Sequence, residues 1–136
     1  MTYKEAFIDF LDAKGVKYTD VDERAVRLMW DSKSVSGGLK VLVIFDKDNH
    51  HGVHFICNGF CSIPEDKQND LMVVCNALNK QYRWCKFYVD DDGDLMVEDD
   101  AILDMASVGD ECIELILRMI NIVDDIYPIA MKAIWA

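Results

Sequence analysis

Three apolar runs lie close together in the first half of the chain, and the connections between them constrain the fold more than any other feature. The runs are "RAVRLMWD", "KVLVIFD" and "VHFICNGF", which begin at residues 24, 40 and 53. The first run alternates with the period of a strand, and the second is apolar on both faces, which predicts an interior strand. Each connection is too short for a helical crossover, so we predict an antiparallel meander.

Two capping-box spacings predict the starts of helices. Thr2 lies three residues before Glu5, and Ser62 lies three residues before Glu65. In such a box each side chain can satisfy an exposed amide of the first helical turn. The predicted helices cover about residues 3–14 and 64–80.

A third helix is predicted in the last quarter of the chain, with Ser107 as its N-cap. Its apolar face is wider than contact with one sheet requires, which indicates burial on two sides, and a dimer contact is one way to supply the second side. Pro128 should kink this helix or divide it in two. The remaining polar stripe consists of Glu111, Glu114, Arg118, Asn121 and Asp125.

The acidic stretch "KFYVDDDGDLMVEDD", residues 86–100, could be a calcium loop or a turn. When Gly93 takes position six of an EF-hand loop, Tyr88 falls at position one and Asp99 at position twelve. Tyr lacks the first carboxylate, and Asp is shorter than the bidentate Glu that position twelve needs. Because the flanks alternate as strands, we predict a hairpin with an Asp-Gly turn.

The predicted order is therefore α-β-β-β-α-β-β-α over a single domain, residues 1–136. Grouped strands with helices before, between and after them indicate an α+β fold, in which helices pack on an antiparallel sheet of about five strands.

Charge and composition narrow the classes of partner. A formal net charge of −11 disfavours binding to nucleic acid and to anionic membranes, and it favours a basic protein or peptide. No apolar run resembles a signal peptide or a membrane span. The five cysteines are an odd number, for which reduced thiols and a cytoplasmic location are the simplest interpretation.

One segment, "HHGVHFICNGFC", concentrates side chains that could hold zinc or act as a nucleophile. The weak candidates are His51, His54, Cys57 and Cys61. On a strand, however, His54 and Cys57 point to opposite faces, and the spacing matches no zinc signature. Cys61, just before the second helix, is the best candidate for a nucleophile. We expect no cofactor and no metal.

Large aromatic side chains are the candidates for contact with a protein partner, because such residues dominate interface energetics. They are also common in cores, so the assignment is weak. The candidates are Trp30, Phe60, Trp84 and Trp135.

The segments "SIPEDKQNDLMVVCNALNKQYRWCKFYVDDDGDL" and "ECIELILRMINIVDDIYPIAMKAI" give the chain a family resemblance. An Asn-x-x-Asn segment, the aromatic strand with its acidic hairpin and an Asp-x-x-Tyr-Pro element carry most of it. The chain resembles the bacterial YbjN-type proteins, whose fold is similar to that of type III secretion chaperones. The resemblance implies a non-enzymatic protein, of a kind sometimes labelled a sensory transduction regulator. Chaperone-like relatives bind extended segments of other proteins and often dimerise.

Three hypotheses about function follow. The first is a cytoplasmic protein-binding module, chaperone-like or regulatory, which acts as a homodimer. The second is a small metal- or thiol-dependent enzyme that uses the His51, His54, Cys57 and Cys61 cluster. The third is a structural or stress-related protein without a ligand.

Overall fold

The computed structural model describes all 136 residues and contains three α-helices and six β-strands. The helices are α1 (Tyr3–Lys14), α2 (Gln68–Gln81) and α3 (Val108–Trp135). The strands are β1 (Thr19–Asp20), β2 (Ala25–Trp30), β3 (Leu39–Phe45), β4 (Gly52–Cys57), β5 (Lys86–Val89) and β6 (Leu95–Ile102).

All six strands belong to one antiparallel sheet in the order β1-β2-β3-β4-β6-β5. The predicted meander is β2-β3-β4, and the predicted α+β class is confirmed. The additional strand, β1, has only two residues and extends the sheet at the outer edge of β2. After α2 the chain forms β5 at the opposite edge, and β6 then returns between β4 and β5.

The capping box of α1 forms as predicted. The Glu5 amide donates to Thr2 Oγ1, and the Thr2 amide donates to Glu5 Oε1, each at 3.1 Å. Gly15 ends the helix with φ 69°, a left-handed conformation that a residue without Cβ adopts readily.

The capping box predicted for α2 is wrong. A 3-10 turn, Glu65–Lys67, comes first, and α2 begins at Gln68 without a side-chain cap. Ser62 instead forms a β-bridge with Asp94. The next residue, Ile63, donates its amide to the Gly93 carbonyl at 2.8 Å, so this segment is extended along the hairpin turn and is too distant from the helix to cap it.

The capping role predicted for Ser107 is also wrong. Its hydroxyl donates to Glu111 Oε1 at 2.7 Å and accepts no backbone amide of α3. Asp104 begins the preceding 3-10 turn, Met105–Ser107, by accepting the Ala106 amide at 3.2 Å. The entry to α3 is therefore capped one turn earlier than the sequence pattern indicates.

Pro128 does not divide the last helix, because α3 continues through it. Proline has no amide hydrogen, so the carbonyl of Asp124, four residues earlier, lacks its helical donor. The Ser34 hydroxyl supplies that donor at 2.6 Å. The Asp124 carboxylate also accepts the Ser34 amide at 3.2 Å and a hydroxyl from Ser32. The loop between β2 and β3 thus compensates for the proline in α3.

The three helices form one layer on one face of the sheet. Both α1 and α2 pack against α3, and α3 also contacts β6. The two-sided burial predicted for α3 is therefore supplied within this chain by the sheet and the two other helices, without a dimer contact. None of the helices has the combination of length and apolar character that a membrane span requires.

The edge strand β5 is covered along part of its length by a side chain from α2. Asn79 Nδ2 donates to the Phe87 carbonyl at 2.9 Å, and Asn79 Oδ1 accepts the Phe87 amide at 2.8 Å. This is the pair of hydrogen bonds that another strand would make. Asn79, the second asparagine of the Asn-x-x-Asn segment, therefore occupies the site where a neighbouring strand would bind.

The acidic segment forms the predicted hairpin turn between β5 and β6. Gly93 has φ 81°, and its amide donates to the Asp90 carbonyl at 3.1 Å. The Asp90 carboxylate accepts the amides of Asp92 and Asp94 at 3.0 and 2.9 Å. The carboxylate and the carbonyl of Asp90 thus hold the turn together by accepting backbone amides. Strands rather than helices lie on either side of the turn.

Candidate binding surface

The sheet has a second face that no helix covers. Alternate strand residues such as Val26, Val41, Phe55 and Val97 point into the helical layer and belong to the hydrophobic core. The residues between them point the other way and lie outside that core. We call this second side the uncovered face, and its central side chains are Arg27, Met29, Leu42, Ile44, His54, Ile56, Tyr88, Glu98 and Asp100.

The centre of the uncovered face is apolar. Leu42 and Ile56 are cross-strand neighbours, and Ile44 lies beside them on β3; all three are partly buried by their neighbours in the sheet. Met29 is 56% exposed at one side, and Ile102 is 87% exposed at the end of β6. Apolar side chains that are grouped on a surface indicate an interaction site more strongly than the same residues scattered singly.

A hydrogen-bonded histidine lies beside this apolar centre. His54 Nδ1 is 2.6 Å from Asp100 Oδ1, and His54 Nε2 is 2.6 Å from Glu98 Oε1. Each ring nitrogen of His54 therefore has one carboxyl group as its hydrogen-bond partner. The Tyr88 hydroxyl also hydrogen-bonds to Glu98, which raises the pKa of Tyr88 to about 12. Glu98 is 6% exposed, so the hydrogen bonds of His54 and Tyr88 satisfy a buried carboxyl group.

Asp99 lies between these two carboxylates in sequence but points to the opposite, helix-covered face beside Phe55. Desolvation by burial raises the pKa of Asp99 to about 6, and the nearby Asp100 charge adds to the shift. A hydrogen bond from the Asp100 amide to Asp99 Oδ1, at 2.9 Å, opposes it. Asp99 Oδ2 is buried without a hydrogen-bond partner. The carboxylate is thus a source of strain in the sheet rather than a ligand on its surface.

The four candidate residues for metal or thiol chemistry do not meet at one site. His54 lies on the uncovered face, whereas Cys57 is fully buried on the other face. His51 precedes them, and its Nδ1 contacts the Tyr3 hydroxyl of α1. Cys61 is buried beneath the turn that leads to α2. No group of three His, Cys, Asp or Glu side chains is arranged to hold a metal ion.

The cysteines have the environment of core residues. None forms a disulfide, and all five are buried. Desolvation raises the pKa of Cys57 to about 12 and that of Cys61 to about 11. A nucleophilic cysteine needs its pKa lowered, because the thiolate is the reactive form. Burial therefore makes these thiols less reactive than a free cysteine.

The four aromatic candidates all lie away from the uncovered face. Trp30 and Phe60 are partly buried against the core, and the Phe60 ring centroid is 6.2 Å from that of Tyr127. Trp84 and Trp135 are 38% and 81% exposed in the helical layer. Two guanidinium groups, those of Arg83 and Arg118, lie 5.1 and 5.0 Å from the Trp84 ring, so cation–π contacts already occupy it.

A cleft of about 550 Å³ lies between the start of α1 and the turn that joins β3 to β4. Its walls mix both signs of charge, with Lys4 and Arg24 facing Asp46 and Asp48. Only two of its ten lining residues are apolar. Since small-molecule pockets are usually apolar with a few polar groups, this cleft selects no class of ligand.

Apart from His54, which was a candidate for metal or thiol chemistry, the residues of the uncovered face are not among the site residues that the sequence predicts. The signal was present in "KVLVIFD", which is apolar on both faces. This pattern predicts a strand inside the sheet, and β3 does lie between β2 and β4. The helices cover only one side of β3, however, so the apolar residues on its other side mark a surface.

Comparison with known proteins adds a family and a fold. The model of the YbjN family, described as "Putative bacterial sensory transduction regulator", matches residues 4–128. Among solved structures, that of YbjN, "a putative transcription regulator from E. coli", is similar with a TM-score of 0.67 and 12% sequence identity. The similarity covers 92% of this chain and 91% of that chain. No curated protein matches the sequence.

Proposed function

Since the chain belongs to the YbjN family, we propose that it is a non-enzymatic regulator that acts by binding another polypeptide on the uncovered face of its sheet. The observation that carries the proposal is the one-sided placement of the helices, which leaves Leu42, Ile44 and Ile56 without a covering layer. Antiparallel sheets usually have a polar outer face where water covers them, whereas the centre of this face is apolar.

The charge of the molecule supports a protein rather than a nucleic acid as the direct partner. The solved relative is described as "a putative transcription regulator". This chain carries a net charge of −11, and DNA binding depends on cations that neutralise phosphates. Regulation through contact with another protein fits this charge, and it gives the apolar side chains of the uncovered face a role.

The thiol-enzyme alternative has less support from the geometry. Cys57 and His54 lie on opposite faces of β4, and burial raises the pKa of every cysteine to about 11 or 12. A histidine that accepts a proton from a thiol must lie within hydrogen-bond distance of it. His54 instead lies between two carboxylates, Glu98 and Asp100.

The test is affinity capture with tagged protein from a cell extract, with an untagged copy of the chain co-expressed, at low and moderate salt. Wild type is compared with Leu42→Asp, which places a charge at the apolar centre. The matched control is Val73→Asp, because Val73 is apolar and 71% exposed on α2. A stoichiometric polypeptide that wild type and the control retain, and that Leu42→Asp loses, supports the proposal.

Equal retention by all three proteins, or no stoichiometric polypeptide with any of them, contradicts the proposal. Circular dichroism and thermal unfolding show whether Leu42→Asp is folded. Met29→Glu provides a second variant on the same face, since Met29 is 56% exposed and contributes little to the fold.

A further inference from the structure

The helical layer carries a pair of arginines that the proposed function does not use. Arg83 and Trp84 lie in the connection between α2 and β5, and Arg118 lies on α3. The two guanidinium groups lie 5.1 and 5.0 Å from the same Trp84 ring, so they are no more than about 10 Å apart, which is close to the screening length of 0.1 M salt. An anion beside this ring therefore interacts with both charges.

Both arginines line one cavity of about 390 Å³, which we call the guanidinium cavity. The other residues of its wall are Gln81, Tyr82, Trp84, Asn121 and Ile122. The wall contains no carboxylate, although 25 of the 136 residues of the chain are Asp or Glu. The side-chain amides and the indole N–H add neutral hydrogen-bond donors, and the rings and Ile122 add apolar surface. Unlike the larger cleft beside α1, this cavity therefore presents charge of one sign.

The two arginines differ in how far their charge is neutralised within the chain. Arg118 Nη2 lies 2.9 Å from Glu114 Oε1, and Arg118 Nε donates to the same oxygen at 3.0 Å. The guanidinium group of Arg83 takes part in none of the ion pairs and has only the Trp84 ring as its contact. The chain has 25 carboxylate side chains and only 14 Lys and Arg, yet Arg83 has no carboxylate partner. The guanidinium cavity therefore keeps a positive charge in an acidic protein.

From this arrangement we propose that the guanidinium cavity binds a small molecule that bears a phosphate group. Guanidinium groups recognise phosphate and carboxylate through parallel N–H donors. A phosphate monoester has three terminal oxygens and a charge of about −1.5 to −2 at pH 7, so it can accept from two guanidinium groups at once. A carboxylate has two oxygens and a single charge, which one arginine satisfies. Two arginines around one cavity therefore match phosphate better than carboxylate.

The charge of the rest of the molecule limits the affinity. A net charge of −11 repels any anion, and two carboxylates lie near the cavity. Glu114 is paired with Arg118, and the Asp125 charge adds to the effect of burial in raising the pKa of Tyr82. Salt screens the distant charges beyond about 8 Å, whereas the two guanidinium groups line the cavity itself. We therefore expect net attraction with a dissociation constant of about 1 mM.

The test is a titration of the nitrogen-15-labelled full chain, followed by NMR at constant ionic strength. The probes are phenyl phosphate and benzoate, which carry the same ring and differ in the anionic group. The readout is the indole N–H resonance of Trp84, which is identified by its absence from the spectrum of Trp84→Phe. Phenyl phosphate is expected to shift this resonance to saturation, and benzoate is expected to bind at least about 10-fold more weakly.

Two variants assign the binding to the arginines. Arg83→Gln and Arg118→Gln should each raise the dissociation constant of phenyl phosphate about 10-fold or more, because each removes charge-assisted hydrogen bonds. Both positions are exposed, so folding should be retained and is checked by circular dichroism. Lys17→Gln is the matched control, because it makes the same change in net charge at an exposed position between α1 and β1, outside the cavity. It should change the dissociation constant less than about two-fold.

Four outcomes would overturn the inference. The first is a Trp84 resonance that phenyl phosphate does not shift to saturation, and the second is equal binding of benzoate, which would remove the preference for phosphate. The third is an unchanged affinity in Arg83→Gln, and the fourth is an equal loss in Lys17→Gln, which would mean that net charge alone attracts the anion. The guanidinium cavity lies in the helical layer, so none of these results bears on the uncovered face of the sheet.

Discussion

Replacing Asp99 by asparagine should stabilise the protein at neutral pH. Burial raises the pKa of Asp99 to about 6 from an ordinary value of 3.8, and its Oδ2 has no hydrogen-bond partner. The native state therefore binds a proton at Asp99 more tightly than the unfolded chain does. Stability is lost as the pH rises from 3.8 towards 6, and the full cost is present above that range. Asparagine keeps the size and the acceptor oxygen but removes the charge.

The expected gain follows from that shift. A difference of about two pKa units corresponds to about 3 kcal/mol of unfolding free energy at pH 7.5, and to about 1 kcal/mol at pH 4.5. The pH dependence attributable to Asp99 is therefore about 2 kcal/mol between the two conditions. Structural relaxation around the carboxylate would reduce both values.

The assay is urea denaturation followed by tryptophan fluorescence, for wild type and Asp99→Asn at pH 7.5 and pH 4.5. Asp91→Asn is the control, because it removes the same charge from the exposed tip of the hairpin and corrects for the general repulsion of an acidic protein. If wild type and Asp99→Asn show the same difference in stability between the two pH values, the carboxylate is not desolvated and the reasoning is refuted.

Three further predictions concern packing and reactivity. Asn79→Leu should lower the free energy of unfolding by about 1–3 kcal/mol, because the Phe87 amide and carbonyl lose their hydrogen-bond partners. Urea denaturation measures the loss, and Asn76→Leu, at an exposed position three residues earlier, is the control. Gly109→Ala should lower the free energy of unfolding by about 1–3 kcal/mol in the same assay, since a Cβ there would lie 2.1 Å from Phe10 Cγ. An unchanged stability would mean that α1 moves freely away from α3. The cysteines should react with a thiol reagent at neutral pH only slowly, and at the normal rate in denaturant; one fast thiol in the native protein would revive the enzyme hypothesis.

Patterns in the sequence predict secondary structure correctly where neighbouring residues determine it. The capping box at Thr2, the Asp-Gly turn at Gly93 and the alternation of β2 depend on neighbouring residues, and all three appear in the structure. Ser62 also has the right spacing, but its backbone pairs with the distant Asp94, a contact that spacing cannot reveal. The wrong capping box at α2 is therefore explained by a pairing between residues that are far apart in the sequence.

The candidate site was harder to predict for a related reason. The sequence shows that β3 is apolar on both sides, but not how many layers the helices form. The amphipathic pattern of α3 indicated a second contact surface, which turned out to be α1 and α2 within the same chain. The apolar surface that no other element covers lies on the uncovered face of the sheet instead. Which apolar face remains exposed depends on the packing of whole layers, and periodicity within one segment does not report it.

The asparagine that covers the edge of β5 also bears on how the sheet could pair with a strand of another chain. Open sheet edges let chains add to one another without end, and an edge strand at each side is needed for such growth. Asn79 already occupies the Phe87 backbone groups on one side, and the opposite edge is β1, a strand of two residues. Both edges of the sheet therefore offer few free backbone groups to an added strand.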